Sequence, residues 1–291
     1  MSTTVIMIIS AVLYVVIAPF LGGFLGGLDR KISARMQGRV GPSVLQPFYD
    51  VGKLLEKESI TVNRFQDFYV VCFLIFIIIT GALFFAGLDL LLVIFTLTLA
   101  SMFLVVASYS SNSPYAQVGA ERELLQMMAY EPMVLFTAIG FYLVCGSFSV
   151  MDIIQYDGLP AVAVMPLIFV GFLYILTIKF RKSPFDLSMS HHAHQELVKG
   201  MSVEFSGRTL AAMEVAHWYE NVFLLGMVFL FFINGTLLSV IIGIVVCLLT
   251  YFLEVLIDNC AARMKWQFAL RSSWLVALVL GFVNLMVLYY L

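Results

Sequence analysis

Glu131, Glu214, Glu220 and Glu254 are acids set inside long apolar stretches, which makes them the residues of this sequence best placed for chemistry. An ionised carboxylate at the centre of a membrane-spanning helix costs about 2.5–3.5 kcal/mol on insertion scales, so each must face protein or water rather than lipid. Several such acids in neighbouring spans suggest a wet path for protons or coupled charge. Glu214, His217 and Asn221 stand at i, i+3 and i+7 and share one helix stripe, with Glu220 about 120° round from Glu214. Glu254 and Asp258, at i and i+4, share another face. Glu131 precedes Pro132, whose missing N–H frees a carbonyl one turn earlier for polar groups to use. The plainer alternative is that each acid anchors a helix end by pairing with Lys or Arg, and it weighs most for Glu254 and Asp258.

All four histidines fall between Arg181 and Asn221. Ser183-Pro184-Phe185-Asp186 has the residue types of a helix start, with Ser as cap and Pro at the first helical position. A further short helix is expected from Ser190 to Lys199, with His191, His192 and His194 clustered on it and Glu196 beside them. Three imidazoles and a carboxylate could hold a metal, but neither cysteine nor HExxH spacing accompanies them, so no metal site is expected. Hydrogen bonding or proton passing at an interface suits residues that titrate near neutrality, and solvated loop histidines remain the bland alternative.

Stepping the acids across a membrane requires spans, and the composition supplies them. Apolar residues make up 62% of the 291 positions and charged residues 12%, with a mean hydropathy of +1.01. Soluble domains are about half apolar and a quarter charged. The chain therefore reads as an all-α polytopic membrane protein. Eight runs near the 20 residues needed for a crossing occur at 4–26, 68–87, 88–108, 125–147, 160–180, 209–232, 235–257 and 271–291. Gly87, Leu88 and Asp89 are the expected reversal inside the longest apolar block. With both termini outside, all 16 Lys and Arg fall on the inner side, while the outer connections carry Asp89, Asp152 and Asp157. That asymmetry is the positive-inside pattern. Residues 1–291 read as a single membrane domain, with lipid as its surroundings and no nucleic-acid partner. Cys72, Cys145, Cys247 and Cys260 lack CxxC spacing and read as packing residues.

The first inner segment, DRKISARMQGRVGPSVLQPFYDVGKLLEKE, mixes basic residues with turn signals and then an amphipathic helix expected to lie along the membrane surface. Its order of DRK, MQGRVGPS and QPFYDVGKLLEKE resembles the first cytoplasmic loop of the helical subunit that joins the membrane and peripheral arms of respiratory complex I. QELVKGMSVEFSG, residues 195–207, resembles a second loop of that subunit, and Glu196 and Glu204 match its acids. SHHAHQE, NSPYAQVGAEREL and EVAHWYEN are instead similar to the related subunit of group 4 energy-converting nickel–iron hydrogenases of the Ech and formate hydrogenlyase types.

That resemblance implies a non-catalytic subunit without cofactor, in an oxidoreductase complex that couples ferredoxin-driven proton reduction to H⁺ or Na⁺ translocation. Iron–sulfur clusters and the nickel–iron centre would belong to partner subunits: the large and small hydrogenase subunits, iron–sulfur subunits and an antiporter-like membrane subunit. It implies a proton or charge path through Glu131, Glu196, Glu204, Glu214, His217, Glu220 and Glu254. It also implies a surface for the hydrophilic arm formed by Arg30, Arg35, Arg39, Asp50, Lys53, His191, His192 and His194. A quinone-site subunit of complex I is the alternative, and a free-standing ion transporter is a third class.

Overall fold

The computed structural model describes residues 3–58, 60, 63–189 and 199–290, and among them the chain is all helical apart from turns and one isolated bridge between Asp89 and Ser149. In chain order the helices are α1 (Thr3–Met36), α2 (Gln46–Glu56), α3 (Arg64–Phe85), α4 (Leu90–Tyr109), α5 (Pro114–Cys145), α6 (Val150–Ile154), α7 (Ala161–Val164), α8 (Pro166–Lys179), α9 (Gly207–Leu230) and α10 (Leu237–Cys260). A last helix runs from Trp266 to Val276 (α11), passes through a π turn at Ala277–Phe282 and ends as α12 (Val283–Tyr290).

Six of these helices are long and apolar enough to cross a membrane: α1, α3, α4, α5, α10 and the C-terminal helix. This is a multi-pass membrane protein. The expected fifth span, 160–180, is shorter than anticipated, because Pro160 and Pro166 break its start and leave α8 with 14 residues. At 1.5 Å per residue that is about 21 Å, against a hydrocarbon core of about 30 Å. The expected sixth span, α9, has 24 residues but carries Arg208, Glu214, His217, Glu220 and Asn221. Two other boundaries differ from expectation. α1 continues to Met36, so Arg30, Lys31 and Arg35 extend the helix instead of opening a loop, and its last turns are tied to α10 by Asn259 donating to Ser33 Oγ at 2.9 Å. α5 begins at Pro114, about three turns before the apolar run.

Gly87, with φ +82°, makes the turn between α3 and α4, and Asp89 caps α4 by accepting from Leu91 N and Leu92 N. That turn pairs with the loop after α5, Leu90 N donating to Phe148 O and Val150 N to Leu88 O. At the opposite end α1, α8 and α10 terminate together around one cavity, which the first turns of α9 also line. α9 packs against α1, α2, α3 and α10, so it is the helix around which that end is built.

Two helix prolines are accommodated in the same way. Pro19 in α1 cannot bond the Val15 carbonyl, and the Tyr219 hydroxyl of α9 donates to that oxygen at 2.7 Å. Pro132 in α5 frees the Met128 carbonyl, which accepts from the Trp274 indole N–H of the C-terminal helix at 3.2 Å. The carbonyl that the Glu131-Pro132 pair was expected to offer thus goes to a neighbouring helix. Small residues set the closeness of α1 and α9: a Cβ on Gly22 would lie 2.4 Å from Trp218 O.

Candidate functional site

The C-terminal end of α8 organises the site. Lys179 is its last residue, Phe180 the cap, and Arg181 takes a left-handed backbone with φ +53°. Arg181 N donates to Ile178 O and Lys182 N to Thr177 O, which is the Schellman arrangement, with arginine where glycine is usual. A left-handed non-glycine residue costs about 1–2 kcal/mol. Here that cost is offset by placing three polar groups, at 179, 181 and 182, in different directions within the helical end.

Lys179 turns into the bundle, where its ammonium lies 3.2 Å from Glu220 Oε1 and 4.4 Å from the centre of the Tyr130 ring. Both side chains of the ion pair are 5% exposed. The Glu220 carboxylate meets His217 Nδ1 at 3.3 Å, and His217 Nε2 lies 2.7 Å from Arg181. A guanidinium has no acceptor, so His217 Nε2 must accept and the neutral ring carries its proton on Nδ1, donating to Glu220. Arg181 reaches on to Glu123 at 3.2 Å, and Ser188 donates to that carboxylate. The result is one unbroken line, Glu123–Arg181–His217–Glu220–Lys179–Tyr130, joining α5, α8 and α9.

Lys182 points the other way, between Asp29 of α1 and Asp258 of α10, and Ser183 N donates to Asp258 at 2.9 Å. Burial works against the Lys182 charge, yet the two carboxylates outweigh it and hold its pKa above the ordinary lysine value. Between these two sets of charges lies a cavity of about 530 Å³, whose walls include Asp29, Arg181, Lys182, Glu214, His217, Glu220, Asn221 and Asp258.

Of the residues expected to carry charge, Glu214, His217 and Glu220 come together here, with Asn221 beside them. Glu220 is not set apart from the Glu214 stripe as helix geometry alone implied, because His217 bridges to it at i, i+3. Glu254 is fully buried on α10, and neither of its carboxylate oxygens has a hydrogen-bond partner, the arrangement that burial makes most costly for an acid. Glu131 and Glu204 are half-buried and lie outside the cavity wall. Glu196, His191, His192 and His194, and the helix expected from Ser190 to Lys199, lie outside the described residues.

Residues 183–186 do not start a helix. They form a turn whose polar groups are taken by tertiary partners, Asp258 accepting from Ser183 N and Gln126 donating to Phe185 O. Arg30 is bound to Asp50 at 2.6 Å, and Gln46 donates to the same carboxylate at 2.9 Å. Burial opposes the Asp50 charge, but those hydrogen bonds and the charges of Arg30 and Lys53 win and hold its carboxyl below the ordinary range. Arg35 and Arg39 are exposed beyond the end of the bundle. Cys72, Cys145 and Cys247 are half-buried, and Cys260 is exposed.

Sequence reasoning missed Glu123, Tyr130, Lys179, Arg181 and the Asp29–Lys182–Asp258 cluster as parts of one site. The available signal was arithmetic: several acids buried in spans need cations, and Lys179 is the basic residue closest to an apolar run.

Comparison with known proteins identifies the lineage. The family profile described as NADH dehydrogenase matches residues 7–289. The chain belongs to that family. Hydrogenase-4 component C of Escherichia coli (strain K12) is 27% identical over 295 residues, covering 92% of each chain. A membrane subunit of the NADH-quinone oxidoreductase of Geobacillus kaustophilus (strain HTA426) is 32% identical over 230 residues, covering 71% of this chain and 68% of the relative. The same fold occurs in a chain of the membrane-bound sulfane sulfur reductase, an archaeal respiratory membrane complex, with a TM-score of 0.85 at 24% identity, covering 97% of this chain and 99% of that one. The chain is thus homologous to membrane subunits of complex I-like assemblies, the family that the GRVGPS and VKGMSVEFSG motifs resemble.

Proposed function

We propose that this NADH dehydrogenase family member is the coupling subunit of a group 4 energy-converting nickel–iron hydrogenase in the cytoplasmic membrane. The observation that carries the reading is the buried line from Glu123 to Lys179 along one wall of the cavity, in a chain similar over almost its whole length to a hydrogenase component. Residues 1–291 form one membrane domain of eight crossings, with α8 and α9 as the fifth and sixth and both termini outside. The shared end of α1, α8 and α10 supports that alternation, since spans one, five and seven then run in the same direction.

His217 gives the line a coupling step. Its Nε2 is occupied by Arg181, so the imidazole takes up a proton there only when Arg181 withdraws. Movement of the 181–189 segment by a docked arm and protonation of His217 are therefore linked. Glu214 and Asn221 face the same cavity and receive charge from that side, while Glu131, Glu204, Glu196 and Glu254 extend the path. The hydrophilic arm sits on Arg35, Arg39 and the segment with His191, His192 and His194, because Arg30 and Asp50 are already bound to each other. Iron–sulfur subunits and the large and small hydrogenase subunits supply the redox centres, an antiporter-like subunit moves H⁺ or Na⁺, and this chain holds no cofactor.

The test is Glu214→Gln in membrane vesicles bearing the assembled complex. Ferredoxin-driven hydrogen evolution should persist while the ion gradient is lost, and a gradient of wild-type size would remove Glu214 from the path. The identity to a quinone oxidoreductase subunit, together with a cavity large enough for a ring, favours a second reading, a quinone-reducing complex. Hydrogen evolution blocked by quinone-site inhibitors would favour that reading over the first.

A further inference from the structure

A second cavity, of about 280 Å³, lies between α1, α2 and α9. Its walls hold four cations, Arg30, Lys53, Lys57 and Lys199, against two carboxylates, Asp50 and Glu214. Arg30 and Asp50 satisfy each other at 2.6 Å. Glu214 also lines the larger cavity, so it belongs to the inner end of the groove. What remains is three lysines that make no ion pair among the described residues. Lys53 and Lys57 stand at i and i+4 on one face of α2 and repel one another. Lys199 is added from the far side, where the chain enters a 3₁₀ turn in the left-handed region, φ +57°. The rest of the groove is apolar, with Val51, Leu54, Leu210 and Trp218.

The surroundings are those of the boundary between headgroups and acyl chains. Phe20 and Phe24 of α1 are exposed on its apolar stretch, which gives way to charge at Asp29 and Arg30. Phe20 stacks on Phe48 with 6.4 Å between ring centres, and Phe48 lies 5.2 Å from Trp218 in the groove wall. Tyr49 and Leu55 of α2 are also exposed. A short helix with apolar residues outward and lysines to one side suits an interfacial position. Basic pockets between helices at that depth are suited to anionic lipid headgroups.

We propose that the groove binds an anionic glycerophospholipid, its phosphate held by Lys53, Lys57 and Lys199 and its acyl chains lying along Phe20 and Phe24. A soluble anion would use the lysines but not the aromatic path to the lipid-facing side of α1. An acidic segment of a partner protein would fit the charge but not the depth. The bound lipid pins α2 against α9 beside Glu214, independently of which redox complex the chain serves.

The test is native mass spectrometry of the full chain in its detergent-purified complex, delipidated and titrated with phosphatidylglycerol or phosphatidylcholine. Phosphatidylglycerol should bind at least tenfold more tightly, and the preference should fall with salt. At about 1 kcal/mol per basic residue near a membrane surface, and 1.4 kcal/mol per factor of ten, Lys53→Gln/Lys57→Gln should weaken it about 25-fold. Lys53→Arg/Lys57→Arg should keep it, and Lys265→Gln, remote from the groove, should leave it unchanged. Equal binding of the two lipids by the wild-type complex overturns the proposal without any variant. So do an unaltered affinity in the Gln variant, full displacement by millimolar inorganic phosphate, and protection of the lysines by a co-purifying acidic polypeptide.

Discussion

Glu220→Gln is the substitution whose cost follows most directly from the geometry. Two unit charges 3.2 Å apart attract by about 5 kcal/mol at an effective dielectric constant near 20. Each ion loses several kcal/mol of hydration on burial, so the pair as a whole is near balance. Removing one member is different, because Lys179 then stays 5% exposed with its charge opposed only by an aromatic face. Breaking a buried pair in this way costs about 3–5 kcal/mol. At about 2–4 °C per kcal/mol, the thermal midpoint of the purified complex should fall by about 10 °C. Lys179→Met in the same protein should recover most of that loss, since it removes the stranded cation, and the two substitutions should couple by about 2 kcal/mol or more. Melting curves of wild type, both singles and the double, at fixed detergent, salt and lipid, decide the matter. A midpoint within 2 °C of wild type for Glu220→Gln, or strict additivity in the double, would refute the buried pair. The outcome also bears on coupling experiments: loss of gradient in Glu220→Gln follows from instability alone, which is why Glu214→Gln is the variant to use.

Tyr219→Phe should destabilise the protein by about 1–2 kcal/mol by leaving the Val15 carbonyl unpaired, and Pro19→Ala should rescue it, because the restored N–H at 19 bonds that carbonyl. Thermal midpoints of the two singles and the double check this, and a double no better than Tyr219→Phe would contradict the assignment. The Asp50 carboxyl is held below its ordinary value, so its contribution is fully present above the unfolded-state pKa of about 3.9 and is lost as the pH falls through the folded value. Asp50→Asn should therefore remove part of the acid-side decline in stability measured from pH 6 down to pH 3. Wild type and variant declining in parallel over that range would exclude the contribution.

Much of the chain was legible without coordinates, for reasons of composition. Apolar runs of membrane length, one-sided basic residues and the turn at Gly87 are local properties, and so are the helical spacing of α2 and the likeness of its loops to one family. The i, i+3, i+7 spacing likewise put Glu214, His217 and Asn221 on one stripe, because helix geometry alone dictates which side chains share a face. Local pattern failed where a distant partner settled the matter. The 183–186 segment has the residues of a helix start, yet Asp258 and Gln126 take its polar groups, and α1 runs on to Met36 because α10 supports its end.

Residue types and their order are enough to make this a helical membrane protein of one family, with acids that have to be sheltered from lipid. Which cation shelters which acid was settled by the packing of the helices. Lys179, Arg181 and Lys182 are neighbours along the chain, and the left-handed residue at the end of α8 sends them to Glu220, to Glu123 and to the Asp29–Asp258 pair. The energy of a buried charge depends on its surroundings within a few ångströms, and those surroundings come from α1, α5, α9 and α10, remote in sequence and joined only by the fold.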